Sequence, residues 1–528
     1  MKLKALPVFF LLIIVHSLST QVWAAKDDKP VLEGARNLVA VTRQGSVKGL
    51  FEQGVYVWKG IPYAKAPLGE LRFSSPQPHE PWSGVKETTV YGAASPQPDN
   101  SFVGDGPRNE DCLFMNIWTP APDSKKRPVM VWIHGGGFVV GSGSSELYNG
   151  ANLARNGDVV VVTFNYRLGA LGFLYFENKP GFDNNLGIRD QIAALRWVRE
   201  NIASFGGDPD QITIFGESAG GTSVETLLAC NEANGLFKGA IAQSGPAAII
   251  WQPTVASALT KKYFAFLGIS PDSLQLLKTL PIDTLKYAEE RLMKYMIEET
   301  PNKVFSPTID GKLLKADIFT CLNPLKSPDV ALMIGTNKDE STMFASKRLK
   351  MAPSTAEGLD RELFPVFKPE DKSKVIAAYK DYPKKRAVLN LLTDAVFRIP
   401  AIRLAENQSQ HAAVYMYRFE WSSFLLNVAG LRSFHGLEIP FVFGNKEGRS
   451  GKLLKLLATN RMIKSLSGEM QTAWINFARY GNPNGKDAEY WKRFDANERA
   501  TMIFNRKSIL VTDPDQVQRK AWEGVSYY

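Results

Sequence analysis

Histidine and cysteine are the scarce residues of this chain, five and three respectively among 528. Cys112, Cys230 and Cys321 are odd in number and widely separated. They allow at most one disulfide and match no metal-ligand spacing, so the fold must rest on its apolar core. The histidines are His16, His79, His134, His411 and His435, a short list from which to draw any base working near neutral pH. Other absences narrow the field. There is no phosphate-loop motif, no His-Glu-x-x-His, and no dinucleotide glycine fingerprint in a strand-to-helix setting. Acidic pairs such as Glu298-Glu299 read as a solvated face. No block of five or six basic residues occurs; Lys384-Lys385-Arg386 and Ser124-Lys125-Lys126-Arg127 are short loop runs. A net charge of +10 therefore does not imply a nucleic-acid partner. Beyond residue 24 no segment is apolar enough to cross a bilayer.

With 44% hydrophobic and 22% charged residues the chain is globular, long enough for one large α/β domain or two to three ordinary ones. Residues 1–24 stand apart. Lys2 and Lys4 precede an apolar run from Leu6 to Val15, and Val22-Trp23-Ala24 puts short residues at the −3 and −1 positions. This pattern predicts a signal peptide cut between Ala24 and Ala25, and an exported, periplasmic or secreted protein without stable membrane insertion. A lipoprotein anchor would need a cysteine at the cut, and the first is Cys112. Loss of Lys2 and Lys4 takes the charge from +10 to +8.

Five short runs rich in β-branched residues read as buried parallel strands: Val129 to Ile133, Val159 to Phe164, Ile212 to Phe215, Gly239 to Gln243, and Val330 to Ile334. A helical pattern runs from Gly187 to Ile202 between the second and third. This alternation predicts a doubly wound α/β sheet. Leu38 to Tyr56 alternates around Gly45 and Gly54, as antiparallel strands on one sheet edge would. Residues 251–325 and 346–410 break the alternation and look helical; insertions of this kind usually cover a site at the carboxyl ends of the strands.

Gly216-Glu217-Ser218-Ala219-Gly220 fits Gly-x-Ser-x-Gly, with a strand pattern before it and a helical one after. That order puts a serine on a tight strand-to-helix turn, at a helix N-terminus that favours developing negative charge. Ser218 is the candidate nucleophile. A serine needs a base, and the base an orienting acid. In a sheet of this kind the order is serine, acid, histidine. His411 precedes a strand-like run, at the wrong end for the site, and His435 follows in Ser433-Phe434-His435-Gly436-Leu437; His435 is the candidate base. After the run Val330 to Ile334, Asp339 and Glu340 both qualify as the acid, and spacing does not choose between them. His134-Gly135-Gly136-Gly137-Phe138 follows another strand, and its glycines can turn backbone N–H groups toward an oxyanion. His134 itself reads as a structural histidine.

The residues at this point resemble the type-B carboxylesterase family. Lys59-Gly60-Ile61-Pro62-Tyr63-Ala64 with Pro67-Leu68-Gly69-Glu70-Leu71-Arg72-Phe73 looks like its N-terminal motif. Glu110-Asp111-Cys112-Leu113 with Asn116-Ile117-Trp118 looks like its second signature. Asn165-Tyr166-Arg167, Asn185-x-Gly187 with Asp190-Gln191, Phe205-Gly206-Gly207-Asp208-Pro209, Trp474-x-x-Phe477-Ala478 and Gly481-Asn482-Pro483-Asn484 continue in order to the end. The likeness spans nearly all of residues 25–528, and the chain resembles a bacterial member of the para-nitrobenzyl-esterase type. It implies one α/β-hydrolase domain, a mostly parallel sheet with helices on both faces and helical insertions forming the pocket. It maps the acid onto Glu340 and the base onto His435. The oxyanion donors map onto the N–H groups of Gly136, Gly137 and Ala219, with Glu217 and Ser244 in support.

Two departures stand out. Secreted animal relatives pair the cysteine matching Cys112 with one just upstream, where this chain has Ser95-Pro96-Gln97; Cys112 is expected free and buried. Phe102 stands where cholinesterases carry a choline-binding tryptophan, which speaks against choline esters. The resemblance thus implies a carboxylic ester hydrolase acting on a small-molecule ester through a Ser-His-Glu triad and an acyl-enzyme. It requires no metal or organic cofactor and leaves the oligomeric state open. The rival readings are a lipase for long acyl chains and a non-catalytic adhesion domain of the same fold; the latter typically lacks the serine, which is present here.

Overall fold

Val131, flanked by Met130 and Trp132, shows how the sheet is built. Alternate residues of its strand enter two different cores, Val129, Val131 and Ile133 on one face, Met130 and Trp132 on the other. Only a strand covered on both sides buries every side chain, which is why its sequence is a continuous apolar run. The computed structural model describes residues 38–98, 106–300, 304–322, 329–346, 349–445, 448–486 and 490–526. The segment read as a signal peptide and Phe102 lie outside them.

In chain order the strands are β1 (Val39–Val41), β2 (Ser46–Lys48), β3 (Leu50–Glu52), β4 (Val55–Pro62), β5 (Val85–Glu87), β6 (Phe114–Thr119) and β7 (Arg127–Ile133). Then follow β8 (Val160–Phe164), β9 (Gly207–Glu217), β10 (Gly239–Gln243), β11 (Ala331–Asn337), β12 (Val414–Phe419), β13 (Ala500–Phe504) and β14 (Ile509–Thr512). Eleven of them form one sheet in the order β14-β13-β12-β11-β10-β9-β7-β8-β6-β4-β3. From β13 to β8 every pairing is parallel, and both edges are antiparallel. The chain winds outward in opposite directions from β7 and β9, which lie side by side. Loops leaving their carboxyl ends diverge there and open a crevice.

The edge reading of Leu38 to Tyr56 is corrected. β3 and β4 do form the antiparallel edge of the main sheet, but β1, β2 and β5 form a separate three-stranded sheet with β2 in the middle. The break falls at Gly49, where the chain passes so close to Val57 and Trp58 that no Cβ would fit. The residues between Gly187 and Ile202 form the helix Leu186–Asn201, packed through Ile188, Ile192, Leu195 and Val198.

In 251–325 lie the helices Pro253–Leu267 and Ile282–Glu299, joined by Tyr263 Oη donating to Leu285 O at 3.0 Å. In 346–410 lie Ala356–Glu362, Pro369–Ala377, Lys385–Thr393 and Ile399–Gln408, with a π-helical turn at Asp394–Arg398. Several motif residues buttress this frame. Arg72 forks onto Glu110 with two contacts of 2.6 Å, and Arg167 grips buried Asp190 at 2.6 and 2.8 Å. Among the described residues no helix is long and apolar enough to cross a membrane.

Candidate active site

β9 runs straight into Ser218, which takes φ 58° and ψ −123° before the helix Ala219–Ala229 begins. A non-glycine residue there is strained, and the strain is held by its surroundings. Ser218 N–H donates to Gln243 O at 2.9 Å and Thr222 N–H to Ser218 O at 2.9 Å. Both flanking glycines are sterically required. A Cβ on Gly216 would sit 2.5 Å from Gly220 O, and one on Gly220 would collide with Ile133 O. The neighbours of Ser218 are buried, yet Ser218 keeps partial access to solvent.

The loop after β7 lies against this turn. A Cβ on Gly135 would be 3.1 Å from Ser218 Cβ and 2.6 Å from Glu217 O. Gly136 and Gly137 follow with φ of 111° and 62°. Among the described residues none accepts a hydrogen bond from the N–H of Gly136, Gly137 or Ala219. Ala219 is buried, and Gly136 and Gly137 are half-buried. Three N–H groups without acceptors beside a strained serine make a ready site for an oxyanion. His134 is held away from the chemistry: it stacks on Tyr166 at 4.4 Å, its Nδ1 lies 2.9 Å from Gly135 O, and burial lowers its pKa to about 4.

The two adjacent acids separate cleanly. Glu340 is fully buried; Oε1 accepts from Asn337 N–H at 2.7 Å and Oε2 lies 2.7 Å from His435 Nδ1. Asp339 turns the other way, to Arg386 at 3.4 Å, and burial raises its pKa. His435 sits between Phe344 and Phe397, with ring centroids at 4.9 and 5.1 Å. Burial alone would lower its pKa, but the carboxylates of Glu217 and Glu340 outweigh that and raise it. Glu217 is itself pushed up, chiefly by burial. Its Oε1 lies 3.2 Å from His435 Nε2, but the two are not aligned as a hydrogen bond, and neither atom has such a partner among the described residues.

The structure thus joins Glu340 to His435 directly, and no hydrogen bond links His435 to Ser218. Ser244 is buried at the end of β10 with N–H donating to Gly335 O at 2.8 Å. Its hydroxyl has no partner among the described residues, so no hydrogen bond ties it to the other site residues. Sequence reasoning missed Asn337, Gln243 and Glu438, which are linked beneath the histidine loop. Glu438 was visible only as the glutamate of the His-Gly-x-Glu stretch; the two amides carry no local signal.

Cys112 is buried and unpaired, as are Cys230 and the less buried Cys321. Among the described residues no three His, Cys, Asp or Glu converge as metal ligands would.

Known proteins are similar to this chain over most of its length. The para-nitrobenzyl esterase of Bacillus subtilis (strain 168) is 39% identical over 488 residues, 91% of this chain and 98% of that one. The phenmedipham hydrolase of Pseudarthrobacter oxydans is 33% identical over 483 residues, 88% and 94% of the two chains. Among solved structures, the Geobacillus stearothermophilus carboxylesterase EST55 at pH 6.2 superposes with a TM-score of 0.81 at 39% identity, covering 92% of this chain and 100% of that one. The sequence profile of the carboxylesterase family matches residues 36–522. With the α/β-hydrolase sheet, the serine turn and the Glu340–His435 contact, these likenesses place the chain in the carboxylesterase family, whose members hydrolyse carboxylic esters.

Proposed function

We propose that Ser218, His435 and Glu340 are the nucleophile, base and acid through which this carboxylesterase works. The observation that carries the reading is the 2.7 Å contact from Glu340 to His435 Nδ1, which leaves Nε2 as the nitrogen available to accept a proton. Ser218 Oγ attacks the ester carbonyl while His435 Nε2 takes its proton. The oxyanion accepts from the N–H groups of Gly136, Gly137 and Ala219, already oriented and without acceptors. Collapse breaks the C–O bond, and the alcohol leaves with the proton held by His435. Water then attacks the acyl-enzyme, gives its proton to His435, and Ser218 regains it as the carboxylic acid departs. The missing Ser218–His435 hydrogen bond suits a resting enzyme, since such bonds tighten in the Michaelis complex.

The substrate is a small-molecule ester with an apolar group near the base. Phe344 and Phe397 flank the imidazole. Val304, from the first insertion, would meet a Cβ on Gly137 at 3.1 Å. Both insertions therefore contribute apolar surface beside the reacting atoms. The enzyme is exported, a reading supported by the Lys2, Lys4, Leu6 to Val15 and Ala24 pattern. In a p-nitrophenyl ester assay Ser218→Ala lowers kcat roughly 10⁴-fold or more; near-normal turnover would overturn the assignment.

A further inference from the structure

We infer that Gln243 is a positioning residue that ties the nucleophile's turn to the loop of the base, a role resting on the catalytic assignment above. Gln243 is the last residue of β10, paired with Glu217 on one side and Gly335 on the other. It stands between the strand that delivers Ser218 and the strand that delivers Glu340. Its carbonyl accepts the Ser218 N–H at 2.9 Å. Its buried side chain does something separate. Nε2 donates to Glu438 Oε1 at 3.1 Å, while Oε1 accepts from Trp474 Nε1 at 2.9 Å. An indole N–H can only donate, so the amide has one orientation, with its nitrogen facing the carboxylate.

Glu438 lies three residues beyond His435 in the same loop. Its second oxygen accepts from Asn337 Nδ2 at 2.7 Å, and that nitrogen also reaches Phe434 O at 2.8 Å. One residue therefore holds, through its carbonyl, the turn that aims the hydroxyl and, through its amide, the loop that aims the imidazole. The reaction depends on the relative placement of Ser218 Oγ and His435 Nε2, and no direct hydrogen bond sets it in the resting enzyme. The Gln243 tie sets it instead. Without the amide, Glu438 Oε1 is left buried and unpaired, a costly state that the loop relieves by moving.

Full-length Gln243→Leu and Gln243→Glu test this by ester kinetics across pH. Gln243→Leu keeps the bulk and loses both side-chain bonds. Its kcat falls about tenfold or more while KM stays within about threefold, because alignment is lost and binding is not. Gln243→Glu keeps the shape but puts two carboxyl groups together, which share one proton. With that proton the donor to Glu438 is restored. Activity relative to wild type is therefore highest at acid pH and declines as the pair loses its proton. Glu217, Glu340, His435, Tyr148 and Tyr417 face this cluster electrostatically and are unchanged in both variants. A purely structural glutamine predicts a flat ratio across pH. A kcat for Gln243→Leu within twofold of wild type, a change in KM alone, or a flat ratio for Gln243→Glu overturns the tie. If Gln243→Leu does not fold, the pH ratio of Gln243→Glu decides. Ser218→Ala run alongside separates the two failures, since near-normal turnover there overturns the nucleophile and not the tie.

Discussion

Asp339 and Glu340 are neighbours in the chain, yet one meets an arginine and the other the imidazole of His435. Glu340→Gln should cut ester turnover severely and Asp339→Asn should leave it near wild type; the reverse kinetic result would move the acid. Glu217 makes a second prediction. Its carboxylate helps to raise the pKa of His435, and a general base must be neutral to act. Glu217→Gln removes part of that pull, so the acid limb of the kcat/KM profile moves to lower pH. A limb that stays put or moves up would contradict it. At this scale the serine and histidine were legible because a glycine-flanked turn and a short list of histidines left few choices. The acid was not legible from spacing, since its direction depends on a loop some way further along the chain. The likeness to known esterases favoured Glu340, whose carboxylate lies 2.7 Å from His435 Nδ1.

The helix Ala219–Ala229 carries a more unusual feature. Glu225 lies in its buried stretch, and neither carboxylate oxygen has a partner among the described residues. Burial raises its pKa well above the ordinary 4.5, which favours the neutral form in the fold. As pH climbs above 4.5 the unfolded chain releases a proton that the folded chain keeps, and stability falls. The loss approaches about 1.4 kcal/mol per pH unit until the folded group itself ionises. Glu225→Gln should therefore raise the melting temperature, by more at pH near 8 than near 5; an equal or opposite change would show that Glu225 is charged in the fold. Among strands, β7, β8, β10 and β11 were legible because strands buried on both faces are written as apolar runs. β6 and β13 are buried too, but Asn116 in one and Ala500 and Met502 in the other interrupt the β-branched pattern. The split after β2 was hidden because pairing depends on β5, some forty residues on.

For the whole molecule, alternation of strand and helix announced the architecture, whereas strand order is a matter of long-range pairing and came only with the structure. Export is a prediction at this scale. N-terminal sequencing of protein recovered outside the cytoplasm should begin at or near Ala25, and an intact Met1 would refute it.

The order of the sheet has one more implication. On the proposed assignment the nucleophile is made at residue 218, its acid at 340 and its base at 435, and acid and base come into contact only once β11 and the segment after β12 have assembled. A partly synthesised chain thus carries a nucleophile with nothing to activate it. On that assignment the chain becomes a working hydrolase only after the segment bearing residue 435 has left the ribosome, so the order of translation delays the onset of ester cleavage.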